Sequence, residues 1–175
     1  MLGAFCLVVV ARAQVPATLP EYQPEQKTFG RIRTWGSGNL GTIASAWEAG
    51  FRQRQPGVRF ETSLRGNASA LGGLYTGAAD IALMEREALP IELDGYEQAQ
   101  GHKPLALKVA VSNFASGTSS VFVYIQRDPG HAPDANVKEY LRFVLSREGQ
   151  DSVARASGYL PLSPETLREE RAKLE

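Results

Sequence analysis

The chain has 175 residues, of which 43% are hydrophobic and 22% charged, and its 19 basic residues balance its 19 acidic residues. This length and composition fit one globular domain with a sizeable core and leave little room for two. The balanced charge excludes a nucleic-acid or membrane surface that works through bulk positive charge, so no nucleic-acid partner is predicted. Any recognition of a charged ligand must therefore be local.

The first residues are typical of a targeting segment. An apolar run over 2–11 is too short to cross a bilayer, and Ala11-Arg12-Ala13 forms an A-x-A cleavage pattern before Gln14. We therefore expect a cleaved signal peptide at 1–13 and a periplasmic or secreted protein. The usual positive charge of a signal peptide is missing, which indicates a weak signal or a start that lies slightly late, and the alternative reading is a hydrophobic first strand. Cys6, the single cysteine, lies inside this run, so cleavage would leave no disulfide.

The pattern after this segment predicts an α/β order. Residues 14–28 contain three prolines and no period, so they are predicted as an extended leader, with order starting near Phe29. From there a strand, a helix, a strand, a short helix and a strand follow in turn: FGRIRTW, the apolar positions of 40–51, VRFETSL, the segment after RGNASA, and DIALM. This alternation is typical of a parallel sheet with right-handed crossovers.

The second half adds two strands and a helical end. Strands are predicted at 105–111 and 120–126, followed by helices, the last of which is highly charged and runs from about 164 to 173. We expect 120–126 to fold back and pair with the early strands. The predicted fold is α/β, with an about five-stranded, mostly parallel sheet and helices on both faces.

Few residues suit covalent or metal chemistry. The histidines, His102 and His131, each follow a glycine in a loop, no G-x-S-x-G elbow is present, and no thiol would survive cleavage. The same shortage of His and Cys argues against a metal site, and the glycine pattern around Gly36 is neither a Walker loop nor a dinucleotide fingerprint. We therefore predict a protein that is not an enzyme and that has no cofactor and no metal.

Two glycine-marked turns each follow a strand and precede a helix. The first contains Ser37, Gly38 and Asn39, and the second contains Asn67, Ala68 and Ser69. The first amides of a helix lack internal partners and carry partial positive charge, and ligands of such sheets bind at the carboxyl ends of strands. Together the turns predict an oxyanion pocket that needs no net charge. Taken singly, each turn can equally be an ordinary helix N-cap.

These turns belong to longer stretches that resemble a known family. GSGN with the helix around Trp47, then QPGVRFETSLRGNASALGGLYTGAADIALM, resembles the opening of the periplasmic phosphate-binding proteins of ABC transporters, the PstS-like type II periplasmic binding proteins. The stretches VFVYIQRDPG and VKEYLRFVLSREGQDSVARASGYLPLSPE resemble the family's closing segment. The two matches cover nearly all of 29–165, and the tail, with LSREGQ and GYLPL in order, is the more specific.

The resemblance implies a fold and a site. Family members have two α/β lobes joined by a hinge, and they bury phosphate between the lobes. Backbone amides and hydroxyls at helix N-termini hold it, while a carboxylate accepts a hydrogen bond from protonated phosphate. Carried over, the first phosphate loop is Ser37, Gly38 and Asn39, the second is Asn67, Ala68 and Ser69, and the acid is Glu85. The alternative for Glu85 is a solvated charge in the run Glu85-Arg86-Glu87.

One departure from the family is large. The second lobe should lie between about residues 111 and 121, where this chain has only SNFASGTS, so 29–175 is predicted as a single lobe. Ser116-Gly117-Thr118 resembles a phosphate loop of that lobe. The arginine expected four residues earlier is replaced by Ser112, which favours an ordinary turn.

Three functions follow from the resemblance and this departure. The first is an oxyanion-binding protein of an ABC-type phosphate uptake system, reduced to one lobe, of weak affinity, with an ABC permease as a partner and a homodimer as a way to pair two half-sites. The second is a periplasmic module that docks a protein without binding a ligand. The third is an internally deleted relic without function.

Overall fold

Within the residues that the computed structural model describes, 19–115 and 117–175, six strands form one sheet. The predicted signal peptide at 1–13 and Ser116 lie outside these residues. The strands are β1 Gly30–Gly36, β2 Val58–Ser63, β3 Ile81–Met84, β4 Leu105–Phe114, β5 Gly117–Ile125 and β6 Tyr159–Leu160. The helices are α1 Gly41–Arg54, α2 Asn67–Tyr75, α3 Pro90–Gln100, α4 Ala135–Val144, α5 Arg147–Arg155 and α6 Pro164–Ala172, with a 3-10 turn at Gly38–Leu40.

The sheet has the order β2-β1-β3-β5-β4-β6 and is mixed. β1 pairs in parallel with β2 and β3, whereas β5 pairs antiparallel with β3 and β4, and β4 pairs antiparallel with β6. The α/β class is confirmed, but the sheet has six strands rather than five and is not mostly parallel. Only two residues separate β4 from β5, and so short a connection permits only an antiparallel pair.

Helices cover both faces of the sheet, as predicted. All four residues of β3 are buried, which is typical of a strand with packing on each side. Ile81 and Leu83 belong to the larger core, which α1, α4 and α5 share. Ala82 and Met84 face the other way and belong to a smaller core with α2 and α3.

The carboxyl-terminal half folds back onto the amino-terminal half. β5 lies beside β3, with Val123 opposite Leu83, so the predicted pairing of 120–126 with the early strands is confirmed. α1 and α5 pack together, and the buried Trp47 Nε1 donates to the carbonyl of Gly149 at 3.0 Å. This return brings the two segments that resemble the family into one hydrophobic core.

The segment 19–28 is part of the core, which corrects the expectation that order begins near Phe29. Leu19 and Tyr22 are buried in the larger core. The Tyr22 ring lies 5.5 Å from that of Phe143, and its hydroxyl donates to Glu139 Oε2 at 2.7 Å. The segment has no helix or strand, so its sequence carries no period to reveal this packing.

Tyr96, on α3, gives a first prediction because its hydroxyl is buried and has no hydrogen-bond partner among the described residues. Tyr96→Phe is expected to raise the free energy of unfolding by about 1 kcal/mol, since an unpaired buried polar group is costly. The matched Tyr124→Phe should lower it by a similar amount, because the Tyr124 hydroxyl accepts from the Ala88 amide at 2.8 Å. Urea unfolding of both variants measures the difference, and equal shifts would contradict the prediction.

Tyr96 also predicts how the stability of the fold changes at alkaline pH. Burial raises the pKa of Tyr96 from 10.0 to about 12. Since the folded state holds the proton more tightly, this contribution to stability is complete below the pKa of the unfolded chain and is lost as pH rises from about 10 to about 12. Tyr96→Phe should therefore flatten the fall in stability over that range.

Candidate functional site

Glu85 is the centre of a hydrogen-bonded cluster at the carboxyl end of β3. Its carboxylate Oε2 accepts from Ser37 Oγ at 2.6 Å and from Asn39 Nδ2 at 3.1 Å. Its amide donates to Asn67 Oδ1 at 3.1 Å, and its carbonyl accepts from Ser119 Oγ at 2.8 Å. One residue therefore joins both glycine-marked turns and the β4–β5 hairpin.

Backbone contacts explain why the turns converge there. β1 and β3 are parallel neighbours, so their carboxyl ends lie at the same edge of the sheet. The Ser37 amide donates to the Leu83 carbonyl at 3.1 Å, and the Gly66 amide donates to the Gly36 carbonyl at 2.9 Å. A Cβ at Gly36 would lie 2.2 Å from the Leu83 carbonyl oxygen, so this close approach requires glycine.

Both helix starts lie at this edge of the sheet. Among the described residues, neither the 3-10 turn that leads into α1 nor α2 has a side-chain cap at its N-terminus. Their first amides lack intrahelical partners and carry partial positive charge. Gly66, with φ at +130°, sets the direction of the chain into α2. The pair of helix starts is thus suited to a negatively charged ligand.

The structure brings together Ser37, Asn39, Asn67 and Glu85 of the predicted site. Gly38 and Ala68 lie in the same two turns and are exposed. Ser69 lies in the second turn, but its hydroxyl donates back to the Gly66 carbonyl at 3.0 Å, which is a local bond. That these residues bind phosphate stays a prediction.

Glu85 differs from its charged neighbours. Arg86 forms an ion pair with Glu92 at 2.7 Å on α3, and Glu87 is exposed. Glu85 is partly buried and accepts two hydrogen bonds on one carboxylate oxygen. This geometry favours a site residue over the alternative of a solvated charge.

An open pocket of about 560 Å³ lies beside Glu85. The tip of the β4–β5 hairpin forms its other wall, where the sequence predicted the second lobe to be missing. The lining residues are Asn39, Glu85, Ser112, Phe114, Gly117, Thr118 and Ser119. Lys and Arg are absent from this described lining, so the pocket presents hydrogen-bond donors rather than positive charge.

Sequence reasoning missed the hairpin serines. Ser112 Oγ and Ser119 Oγ lie 2.8 Å apart across the β4–β5 pair, and Ser119 also holds the Glu85 carbonyl. Gly117 and Thr118 begin β5, so this part of the predicted turn is strand. The signal was weak because serines in a short polar segment predict a turn as readily as a strand.

Tyr159 of β6 supports the first turn from the other side. Its hydroxyl donates to the Asn39 carbonyl at 2.8 Å. Burial, together with the charge of Glu85, raises the pKa of Tyr159 above its ordinary value, so the hydroxyl stays protonated and donates at neutral pH. Asn39 is thereby fixed through its main chain while its side chain contacts Glu85.

The described residues contain neither a cluster of metal-binding side chains nor a helix that could cross a membrane. No group of three or more His, Cys, Asp or Glu side chains in 19–115 and 117–175 is placed to hold a metal ion. Over the same ranges, every helix is too short or too polar to cross a membrane.

Comparison with known proteins was made by sequence and by fold. No protein-family model matches the chain. The phosphate-binding proteins PstS of two Pseudomonas aeruginosa strains are each 31% identical over 105 residues, which is 60% of this chain. The match spans 32% of the length of these curated relatives, so the chain corresponds to about a third of them.

Two solved structures have a similar fold. A possible phosphate-binding protein from Planctomyces limnophilus superposes with a TM-score of 0.71 at 11% identity, over 85% of this chain and 98% of that one. A Clostridium perfringens protein assigned as a phosphate ABC transporter substrate-binding protein, solved with bound phosphate, gives a TM-score of 0.59 at 12% identity, over 77% and 100%. At these identities the likeness concerns the fold alone. The resemblance to PstS-like phosphate-binding proteins is therefore confirmed, and the fold matches a single lobe of a periplasmic binding protein.

Proposed function

We propose that the chain binds inorganic phosphate or a similar oxyanion in the pocket beside Glu85. The observation that carries the proposal is the convergence of two uncapped helix starts and two polar turns on one carboxylate. The names of the similar proteins support the choice of phosphate. The only formal charge in the described lining is the carboxylate of Glu85, and helix-start amides and side-chain donors can bind an anion without formal positive charge.

In this proposal Glu85 selects the protonation state of the anion. Its Oε2 accepts hydrogen bonds from Ser37 and Asn39, while Oε1 has no hydrogen bond to any described residue. Oε1 can therefore accept a hydrogen bond from a P–OH group. The amide nitrogens of Asn39 and Asn67 supply donors to the unprotonated oxygens. Sulfate carries no proton at neutral pH, so its oxygens would meet the carboxylate as like charges.

The affinity of one lobe should be low. The pocket is open, so water competes for each donor and screens the charge of the anion. Closure of two lobes would remove the anion from water and strengthen the same hydrogen bonds. We therefore expect a dissociation constant of about 1 mM, which corresponds to roughly 4 kcal/mol.

The wider setting of the proposal is an ABC-type phosphate uptake system. The similarity to the curated relatives and the predicted signal peptide support an exported, periplasmic protein with an ABC permease as partner. Because the chain corresponds to about a third of those relatives, their complete activity is not carried over with the lobe.

A second candidate function is protein docking without a ligand. Phe114 and Leu160 are large hydrophobic residues with 42% and 37% of their surface exposed, and Phe114 also lines the pocket. Exposed apolar groups next to a pocket favour an interface. The occupant would be a partner protein, or a second copy that closes two half-sites against each other.

Calorimetric titration of the mature chain, residues 14–175, with phosphate and then sulfate tests the proposal, with light scattering to follow mass. Phosphate should bind more tightly than sulfate. Ser37→Ala should weaken phosphate binding by up to about tenfold, because Glu85 loses the hydrogen bond from Ser37 Oγ that orients its carboxylate, a bond of roughly 1.5 kcal/mol to a charged group.

The control variant is Ser152→Ala. Ser37 and Ser152 are similarly buried, 5% and 8% exposed, but the Ser152 hydroxyl bonds within α5 to the Glu148 carbonyl. Equal phosphate affinity in the two variants would argue against the site. A folded monomer that gives no heat with either anion would favour the docking function, and a stable dimer would direct the search to the Phe114 surface.

A further inference from the structure

A second polar pocket, of about 480 Å³, lies between the segment 19–28, α4 and α6. We call it the leader pocket. It shares no lining residue with the pocket beside Glu85. Its lining residues are Pro20, Glu21, Tyr22, Gln23, Arg142 and Arg171.

The carboxylates around the leader pocket are already paired with other cations. Arg142 binds Glu25 at 2.5 Å and the buried Glu139 at 2.9 Å. Glu21 pairs with Arg147. Glu175, at the end of the chain, pairs with Lys138 at 3.1 Å.

Arg171 is left without a carboxylate among the described residues. It lies in the last turn of α6 and is partly buried, and its guanidinium makes one hydrogen bond to the described residues, from Nη1 to the Leu145 carbonyl at 3.5 Å. Burial, and then the like charge of Arg142, lower the pKa of Arg171. Partial desolvation of a guanidinium that has no ion-pair partner is unfavourable, and an anion that binds to its N–H donors would offset this desolvation.

We propose that the leader pocket binds an oxyanion, a carboxylate or phosphate group, through the guanidinium of Arg171. The planar fork of an arginine matches two oxygens of such a group, and Arg171 lines the pocket without an ion-pair partner among the described residues. The volume accommodates a small free anion. This site is independent of the phosphate site and stands whether or not the pocket beside Glu85 binds.

Heteronuclear NMR titration of residues 14–175 with succinate, and separately with inorganic phosphate, tests this proposal. Saturable shifts are expected for the Arg171 side-chain Nε–H and for the Gln23 amide. The Asn39 amide reports separately on the pocket beside Glu85. Shifts with succinate alone would assign a carboxylate ligand, and shifts with phosphate alone would assign a phosphate group.

Arg171→Gln should abolish these shifts, whereas Arg168→Gln should retain them. Arg168 lies on the same helix and is exposed, and its Nε donates to the Pro164 carbonyl. Arg168→Gln therefore removes the same charge from α6 without changing a residue that lines the leader pocket. Absence of saturable shifts in the unmodified chain with both probes, or equal shifts in Arg171→Gln, would overturn the proposal.

Thermal unfolding of Arg171→Met provides a second measurement. Without added anion this variant should melt at a higher temperature than the unmodified chain, because a partly buried charge that Glu175 and Glu25 attract without forming an ion pair is removed. At about a hundredfold excess over the dissociation constant, the binding anion should raise the melting temperature of the unmodified chain by roughly 5 °C and leave the variant unchanged. An equal rise in both proteins would count against Arg171.

Discussion

Glu85→Gln is expected to remove the preference for phosphate over sulfate. The carboxylate that accepts from protonated phosphate becomes an amide whose nitrogen can donate instead. A hydrogen bond to a charged group contributes roughly 1.5–3 kcal/mol, so phosphate binding should weaken by about tenfold or more. Sulfate should bind more tightly, because the like charge that faced it is gone.

The variant preserves the geometry around it. The amide oxygen of the new glutamine can still accept from Ser37 and Asn39, and the main-chain bonds to Asn67 and Ser119 do not involve the side chain. A change in anion selectivity would therefore reflect the lost charge rather than a collapsed loop. Circular dichroism and melting temperature verify that the variant is folded.

Glu87→Gln is the matched control. It makes the same change of charge two residues along the chain, at an exposed position outside the pocket lining. Calorimetry with phosphate and sulfate should therefore find its selectivity unchanged. Equal selectivity in Glu85→Gln and Glu87→Gln would mean that Glu85 does not contact the anion.

The convergence of the two turns was predictable from local rules, whereas only Asn39 and Glu85 of the pocket lining were predicted as site residues. Glycine and small polar residues after parallel strands predict turns at one edge of a sheet, and Ser37, Asn39 and Asn67 do lie there around Glu85. The role of Glu85 rested on the resemblance, since one acid in a charged run has no period of its own. The sequence alone could not show which residues hydrogen-bond to Glu85, because these bonds join residues 18 to 48 positions apart in the chain.

The order of the first strands was predictable for the same reason, whereas the direction of the later ones was not. β1, β2 and β3 alternate with α1 and α2, which forces parallel pairing. A hairpin joins β5 to β4, and β5 pairs antiparallel with both β4 and β3. β6 has only two residues, Tyr159 and Leu160, and is too short to be predicted from a periodic pattern.

The hairpin also bears on our proposal that the chain binds an anion as a single lobe. Ser112, Thr118 and Ser119 of the hairpin line the pocket beside Glu85. The hairpin thereby adds hydroxyls and partial shelter while leaving one side open to water. The weak affinity in our proposal follows from that open side, and the selectivity follows from Glu85 and does not depend on closure.

Tyr22→Ala is expected to lower the free energy of unfolding by about 3–5 kcal/mol, as for other large aromatic residues removed from a core. The Tyr22 ring contacts those of Phe51 and Phe143, with centroids 6.0 Å and 5.5 Å away. Its hydroxyl donates to the carboxylate of Glu139, which is 1% exposed, and accepts from Gln55 Nε2 at 3.3 Å. The loss is a large share of the 5–15 kcal/mol typical of a domain.

Two further variants separate the contributions of Tyr22. Tyr22→Phe keeps the ring and should cost about 1.5–3 kcal/mol, because the buried Glu139 loses a hydrogen bond that its pairing with Arg142 does not replace. Tyr75→Ala, at a tyrosine that is 38% exposed, should cost less than about 1 kcal/mol. Urea unfolding ranks the three variants.

A chain that begins at Phe29 extends the same argument from one residue to the whole segment 19–28. It would lose Leu19 and Tyr22 from the core, and Gln55 Oε1 would lose the Thr28 amide that donates to it at 3.1 Å. Such a chain should unfold at lower urea concentration than Tyr22→Ala, since it removes more buried apolar surface and further buried hydrogen bonds. If the shortened chain instead matched the stability of the unmodified protein, the segment would be an appendage, and the packing of Tyr22 would contribute nothing to the fold.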